Sequence, residues 1–69
     1  MIILTTRQKS LINYLISKGK FVTSGELATH YCVSSRTIRK DLDMIEKFLE
    51  ENQAVLIRKQ GIGVYIDAK

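Results

Sequence analysis

The sequence predicts a small, mainly α-helical domain that ends in a β-hairpin, and three features carry this prediction. Apolar residues recur at helical spacing in three segments before Asn52. After Asn52 the pattern changes to the β-branched and aromatic run AVLIRKQGIGVYIDA, which glycines divide in two. A length of 69 residues leaves room for one domain, and a content of 45% hydrophobic residues is enough for that domain to form a core.

The first helix is predicted over residues 6–18. Thr5 and Gln8 have the spacing of a capping box, in which each side chain bonds the backbone amide of the other residue. Gly19 follows the last periodic residue, where a helix that ends in a left-handed residue prefers glycine. The predicted apolar stripe consists of Leu11, Ile12, Leu15 and Ile16.

A short second helix is predicted to begin near Ser24 and to end before Val33. Thr23 and Glu26 repeat the capping-box spacing, and Ser34 is a favourable N-cap for a third helix. About three residues then separate helices two and three, which is the helix-turn-helix arrangement. The residues predicted to face inward are Leu27, Ala28 and Tyr31.

The third helix, predicted from VSSRTIRKDLDMIEKFL, carries its charges in an unusual order. Its core face consists of Ile38, Leu42, Ile45 and Leu49. The cations Arg36, Arg39 and Lys40 come first, and the acids that follow are Asp41, Asp43, Glu46, Glu50 and Glu51. This order is the reverse of what the helix dipole favours. We therefore expect the cationic half to face a negative partner outside the protein, and the acidic half to face solvent or a following domain.

The last segment predicts two antiparallel strands joined at the turn QGIG. Phe21 and Val22, which are too few for a strand of their own, are predicted to pair with this hairpin. Three helices followed by a hairpin make a winged helix-turn-helix. The residues predicted at the tip of the wing are Arg58, Lys59 and Gln60. Met44 and Phe48 are predicted to pack against the first helix or the wing.

Composition argues against several classes of function. The single cysteine, Cys32, cannot form an internal disulfide, so a reducing, cytoplasmic location is expected, with Cys32 as a small buried residue. With His30 as the only histidine, the sequence lacks a Cys/His spacing for a metal. It also lacks a nucleophile with a suitably spaced base and a phosphate-binding glycine motif, so neither an enzyme nor a cofactor is predicted. The opening MIILTT is too short for a signal or membrane segment.

Three motifs resemble those of a known family. They are ELA at residues 26–28, VSSRTIRKD at 33–41 and GIGVY at 61–65. Together they resemble the N-terminal winged helix of bacterial sugar-operon transcriptional regulators that carry phosphotransferase-system regulation domains, of the mannitol- and lichenan-operon activator type. The wing departs from the family pattern Gly-x-Gly-Tyr, because Val64 stands between the second glycine and Tyr65.

The resemblance implies that double-stranded DNA is the partner, and the net charge of +4 suits a polyanion. It also implies that residues 1–69 are the N-terminal DNA-binding domain of a longer regulator of a carbohydrate-uptake operon. Such a regulator would form a homodimer through regions beyond Lys69 and would meet phosphotransferase-system proteins through further domains. No membrane partner is expected.

In this arrangement the first turns of helix three enter the major groove. The residues predicted nearest to base edges are Ser35, Arg36, Thr37 and Lys40. The other predicted DNA contacts, mainly to the backbone, are Thr23, Ser24, Ser34, Arg39, Arg58, Lys59 and Gln60.

Two other interpretations remain open. A similar winged helix occurs in regulators with a small-molecule-sensing domain and in biotin-ligase repressors, and the sequence beyond Lys69 would separate these from sugar-operon regulators. A winged helix that binds RNA or protein would not require a basic third helix. A titration that compares duplex DNA with structured RNA distinguishes that class.

Overall fold

The computed structural model describes residues 3–67, which form three helices and one two-stranded antiparallel sheet. In chain order the elements are α1 (Thr6–Lys18), α2 (Ser24–Tyr31), α3 (Ser35–Glu51), β1 (Val55–Lys59) and β2 (Gly63–Asp67). A turn at residues 32–34 separates α2 from α3, and the hairpin follows α3 as a wing. The predicted class, a winged helix-turn-helix, is confirmed.

Local signals set the bounds of α1. The Thr5 hydroxyl accepts a hydrogen bond from the Gln8 amide at 3.1 Å, and the Gln8 side-chain oxygen accepts one from the Thr5 amide at 3.0 Å. This is the predicted capping box. Gly19 ends the helix in the left-handed conformation with a φ of 63°. The helix therefore has the predicted bounds, 6–18.

The second predicted capping box is only half formed. The Thr23 hydroxyl accepts from the Glu26 amide at 3.1 Å. The Glu26 carboxylate accepts from the Tyr14 hydroxyl of α1 at 3.1 Å instead of returning to the Thr23 amide. At the other end of α2, Cys32 takes the left-handed conformation with a φ of 56°. Cys32 is exposed rather than buried as predicted, because it is the cap residue of a surface turn.

One apolar core joins the three helices to the inner face of the wing. Its members are Leu11, Leu15, Val22, Leu27, Ala28, Ile38, Leu42, Ile45, Leu49, Leu56, Val64 and Ile66. Phe48 packs against this core as predicted, and Tyr31 is partly buried beside it. Two predicted positions are wrong, since Ile16 is 49% exposed and Met44 is 37% exposed. Both lie beside the core stripe of their helix rather than on it.

The wing attaches to the helices through a backbone bridge. Val22 and Val64 exchange two hydrogen bonds, with N–O distances of 2.9 and 2.8 Å, so the predicted pairing is confirmed for Val22. Gly63 makes the approach feasible, because a β-carbon there would lie 2.5 Å from the Val22 carbonyl oxygen. Within the hairpin Tyr65 pairs with Ile57. The additional wing residue, Val64, is buried, as is its bridge partner Val22.

Asp41 is a buried acid that links α3 to α1. It is 4% exposed, and it accepts hydrogen bonds from Arg7 Nε at 2.6 Å, Arg7 Nη2 at 3.2 Å and Gln8 Nε2 at 3.1 Å. Burial raises the pKa of Asp41, but the hydrogen bonds from Arg7 and Gln8 outweigh it, so the pKa lies below its ordinary value of 3.8. The expectation that Asp41 faces solvent or a following domain is therefore wrong.

Substituting Asp41→Asn is expected to lower the free energy of unfolding by about 1–2 kcal/mol near neutral pH, because the ion pair with Arg7 is lost and the new NH₂ group faces an N–H donor of Arg7 or Gln8. Folding lowers the pKa of Asp41, so as the pH falls the unfolded chain binds a proton at a higher pH than the folded chain does. The stabilisation by ionised Asp41 is therefore complete above the unfolded pKa. It is lost as the pH falls through the folded pKa.

Urea unfolding between pH 2 and 7 measures this dependence. The Asp41→Asn variant should lose part of the rise in stability with pH, and the control Glu50→Gln, an exposed acid of α3, should retain it. Identical pH profiles for the wild-type protein and Asp41→Asn would show that the Asp41 network contributes no stability.

Candidate nucleic-acid interface

The helix-turn-helix ends in a tightly capped start of α3. Ser34 is the N-cap, and its hydroxyl accepts from the Thr37 amide at 3.1 Å while lying 3.0 Å from the Thr37 hydroxyl. The Ile38 amide donates to the Ser34 carbonyl at 3.1 Å. The hydroxyls of Ser34 and Thr37, both predicted DNA contacts, therefore also fix the first turn of α3. Ser35 is the first helical residue and is exposed.

Three cations follow this cap and form what we call the cationic face, which consists of Arg36, Arg39 and Lys40. All three side chains are exposed. None of them forms an ion pair within residues 3–67, whose ion pairs involve Arg7 and Arg58. The structure therefore places three of the predicted site residues together, in two successive turns of one helix, with their charges available to a partner.

The acids that follow have partners within the domain. Arg58 of β1 donates from Nη1 to Asp43 Oδ1 at 2.7 Å and to Glu46 Oε1 at 3.4 Å. The hydrogen bond and the charge of Asp43 raise the pKa of the Arg58 guanidinium, against a smaller effect of burial. Asp41 pairs with Arg7. The expectation that the acidic half meets solvent is therefore wrong for the buried Asp41, whereas Asp43 and Glu46 pair with Arg58 while their side chains stay 62% and 38% exposed, and Glu50 and Glu51 are exposed.

The polar residues of the wing lie partly on strand β1 and partly in the turn. Arg58 and Lys59 lie on β1, so of the three residues predicted at the tip only Gln60 is in the turn, beside Gly61. The Lys59 ammonium lies 5.5 Å from the centre of the Phe21 ring, which is a cation–π contact between the wing and the segment before α2. Lys59 and Gln60 remain exposed.

An open groove of about 530 Å³ lies between the wing and the helices. It is lined by Thr23 and Ser24 at the start of α2, Arg39 and Leu42 of α3, and residues 58–64 of the wing. The groove brings together six predicted site residues, which are Thr23, Ser24, Arg39, Arg58, Lys59 and Gln60. The other predicted residues, Ser34, Ser35, Arg36, Thr37 and Lys40, lie on the adjacent first turns of α3.

Sequence reasoning missed the residues that support this surface. The ring of Phe21 makes a cation–π contact with Lys59, and Asp43 and Glu46 accept hydrogen bonds from Arg58. The spacing of Asp43 and Glu46 shows that they share a helix face, but nothing in it indicates which cation lies opposite. Within residues 3–67 there is no group of three His, Cys, Asp or Glu side chains placed to hold a metal ion. No helix of the described residues is long and apolar enough to cross a membrane.

Comparison with known proteins gives two matches and one negative result. Residues 7–69 match the family HTH_11, described as an HTH domain. A protein of Bacillus subtilis (strain 168) named "Transcriptional regulator ManR" is 40% identical over 65 residues, which is 91% of this chain and 10% of that protein. This chain thus spans about a tenth of the length of the relative. No solved structure matches.

The two matches agree with the geometry. A family match over nearly the whole chain covers both helices of the helix-turn-helix and the wing, and the relative is a transcriptional regulator by name. They support DNA-binding regulation as the role of this domain and bear out the resemblance to the HTH domain of such regulators. The chain belongs to the HTH_11 family of HTH domains.

Proposed function

We propose that this domain binds double-stranded DNA with sequence preference, as the DNA-binding part of a bacterial transcriptional regulator. The observation that carries the proposal is the cationic face, which follows the helix-turn-helix turn directly and has no ion-pair partner within residues 3–67. Cations at the N-terminal end of a helix oppose its dipole. Phosphates and guanine edges would offset that cost.

The proposed docking places the first two turns of α3 in the major groove. Ser35, Arg36, Thr37 and Lys40 then face base edges, and Arg39 faces a phosphate. Ser34, Thr23 and Ser24 lie near the DNA backbone on either side of the turn. Lys59 and Gln60 extend from the wing to the backbone or the minor groove. Arg58 was also predicted to contact the DNA backbone. In the free protein its guanidinium donates hydrogen bonds to Asp43 and Glu46.

For the complete protein we propose a regulator of a carbohydrate-uptake operon. The support is the resemblance of residues 26–28, 33–41 and 61–65 to regulators with phosphotransferase-system regulation domains, together with the similarity to the protein named ManR. Under this proposal the protein acts in the cytoplasm, further domains receive signals from phosphotransferase-system proteins, and a homodimer binds two half-sites. The half-sites would lie about one helical turn of DNA apart, or a multiple of it.

The isolated domain is expected to bind duplex DNA with a Kd of roughly 10⁻⁴ to 10⁻⁶ M at physiological salt, because it makes few phosphate contacts. With about half a dozen contacts, the slope of log K against log salt should be about −4 to −6. Fluorescence anisotropy with a labelled duplex at several salt concentrations measures both quantities.

The matched variant for this titration is Arg39→Ala, which removes the cation of α3 that is proposed to face a phosphate and should reduce the magnitude of the slope by about one. A wild-type slope near zero would contradict the electrostatic part of the proposal. Tighter binding of a structured RNA hairpin than of duplex DNA, under the same conditions, would favour the RNA-binding class instead.

A further inference from the structure

The wing and α3 are joined by a polar cluster of Arg58, Asp43 and Glu46, which we call the wing clamp. One guanidinium nitrogen of Arg58 donates to both carboxylates, at 2.7 and 3.4 Å. Among the described residues, these are the side-chain hydrogen bonds that connect the wing to α3. The two acids are three residues apart and therefore lie on one face of the helix.

The clamp contacts the wing at the level of the bridge to Val22, next to the exposed turn. The base of the hairpin is fixed by the buried side chains of Leu56 and Ile66, and its middle by the bridge between Val22 and Val64. Arg58 pairs with Val64 across the hairpin and directly precedes Lys59. The clamp therefore adds a side-chain contact between α3 and the part of the wing next to Lys59 and Gln60.

The charge of Arg58 is already compensated in the free protein. A phosphate that approached the remaining N–H donors of Arg58 would also approach the two carboxylates bound to Nη1 and be repelled by them, whereas the cationic face has no such partner within residues 3–67. We infer that Arg58 is a positioning residue for DNA binding, which holds the wing against α3 through Asp43 and Glu46 and leaves the backbone contacts to Lys59 and Gln60. This inference rests on the proposed function.

The wing clamp also gives a reason for the charge order of α3. The cationic half is free for a partner, and two of the acids that follow are ligands for a cation of the wing. Acids close to DNA oppose binding unless they do something that outweighs the repulsion. Holding the wing in its binding position is such a role. Whether DNA binding becomes weaker or tighter when these acids are neutralised therefore tests the inference.

The test compares two double variants that remove the same charge. The clamp variant is Asp43→Asn with Glu46→Gln, and the control is Glu50→Gln with Glu51→Gln at the exposed end of α3. Simple electrostatics predicts that both variants bind duplex DNA more tightly, and the clamp variant more so because its acids lie nearer to the cationic face. The clamp predicts the opposite order, with the clamp variant about two- to fivefold weaker than the control, a loss of the size of an exposed ion pair.

A single variant, Arg58→Gln, separates positioning from direct contact. If Arg58 positions the wing, its loss should weaken DNA binding about two- to fivefold and leave the slope of log K against log salt unchanged. If Arg58 contacts a phosphate, the magnitude of the slope should fall by about one. A reduced slope, or tighter binding by the clamp variant than by the control, would overturn the inference.

Amide hydrogen exchange without DNA separates this inference from the proposed function. The amides of Ile62, which donates to the Lys59 carbonyl in the wing turn, and of Val64, which donates to the Val22 carbonyl in the bridge, should exchange about two- to fivefold faster in the clamp variant and in Arg58→Gln than in the control. Unchanged exchange would overturn the clamp whatever the DNA result. Faster exchange in a domain that fails to bind DNA would instead contradict the proposed function and leave the clamp established.

Discussion

Replacing Gly63 by alanine is expected to lower the free energy of unfolding by about 2–5 kcal/mol, through backbone strain and the loss of two buried hydrogen bonds. Gly63 has a φ of +129°, which side chains rarely adopt. A β-carbon there would lie 2.5 Å from the carbonyl oxygen of Val22 and 3.0 Å from the amide nitrogen of Thr23. The wing would have to move away from Val22, which would break the bridge between Val22 and Val64.

Gly61→Ala is the matched control for this prediction. Gly61 lies two residues earlier on the same hairpin and also has a positive φ, of +81°, but nothing lies within 4 Å of a β-carbon there. The control should cost only about 1–2 kcal/mol, from the backbone conformation alone. Urea denaturation of both variants measures the difference. Equal losses would show that the close approach to Val22 contributes nothing, and that the positive φ alone accounts for both.

The helices were predictable because their limits are local signals. Thr5 with Gln8, Gly19 and Ser34 each act within a few residues of the helix end that they define, and the structure has all three in the predicted roles. The periodicity of α3 identified its buried face for the same reason. The wing was predictable from its glycines, although the contact that requires Gly63 was not.

Features that depend on packing between distant segments could not be predicted. Asp41 meets Arg7 across 34 positions of sequence, and Asp43 meets Arg58 across 15. A count of charges along α3 contains no information about these partners, so acids that bind the domain's own cations were expected to face solvent. The exposure of Cys32 was missed because its burial was predicted from the general behaviour of free cysteines, whereas Cys32 is the left-handed cap residue of a surface turn.

The same division applies to the candidate site. The cationic face was predictable because Arg36, Arg39 and Lys40 occupy adjacent turns of one helix, where sequence spacing determines direction. The grouping of Thr23 and Ser24 with the wing around one groove depends on the tertiary fold, which the helix-turn-helix arrangement specifies only in outline. The engagement of Arg58 by two acids had no signal in the sequence.

Replacing Arg36 by alanine should cost about 1–3 kcal/mol more on the DNA sequence that the domain prefers than on scrambled DNA. Arg36 is exposed, follows the capped turn of α3 and has no ion-pair partner within residues 3–67. A guanidinium in that place can donate to both O6 and N7 of a guanine at once. This contact depends on the base, whereas a phosphate contact does not. Because the side chain is exposed, the melting temperature should not change.

Lys47→Ala is the matched control, because it removes the same unit of charge from an exposed position on α3, three helical turns further along. In the proposed docking the far end of α3 lies outside the major groove. The control should therefore weaken binding to preferred and scrambled duplexes equally and only slightly, by long-range electrostatics that decays over about 10 Å.

The claim that the first turns of α3 recognise base sequence is tested most directly by the ratio of affinities for a preferred and a scrambled duplex. A randomised duplex pool, selected at low salt with the wild-type domain, defines the preferred sequence. Titration of Arg36→Ala and Lys47→Ala then gives the ratio for each variant. We predict that Arg36→Ala lowers the ratio by roughly 5- to 150-fold, which corresponds to 1–3 kcal/mol, and that Lys47→Ala leaves it unchanged. An unchanged ratio in Arg36→Ala, or an equal fall in Lys47→Ala, would contradict the claim.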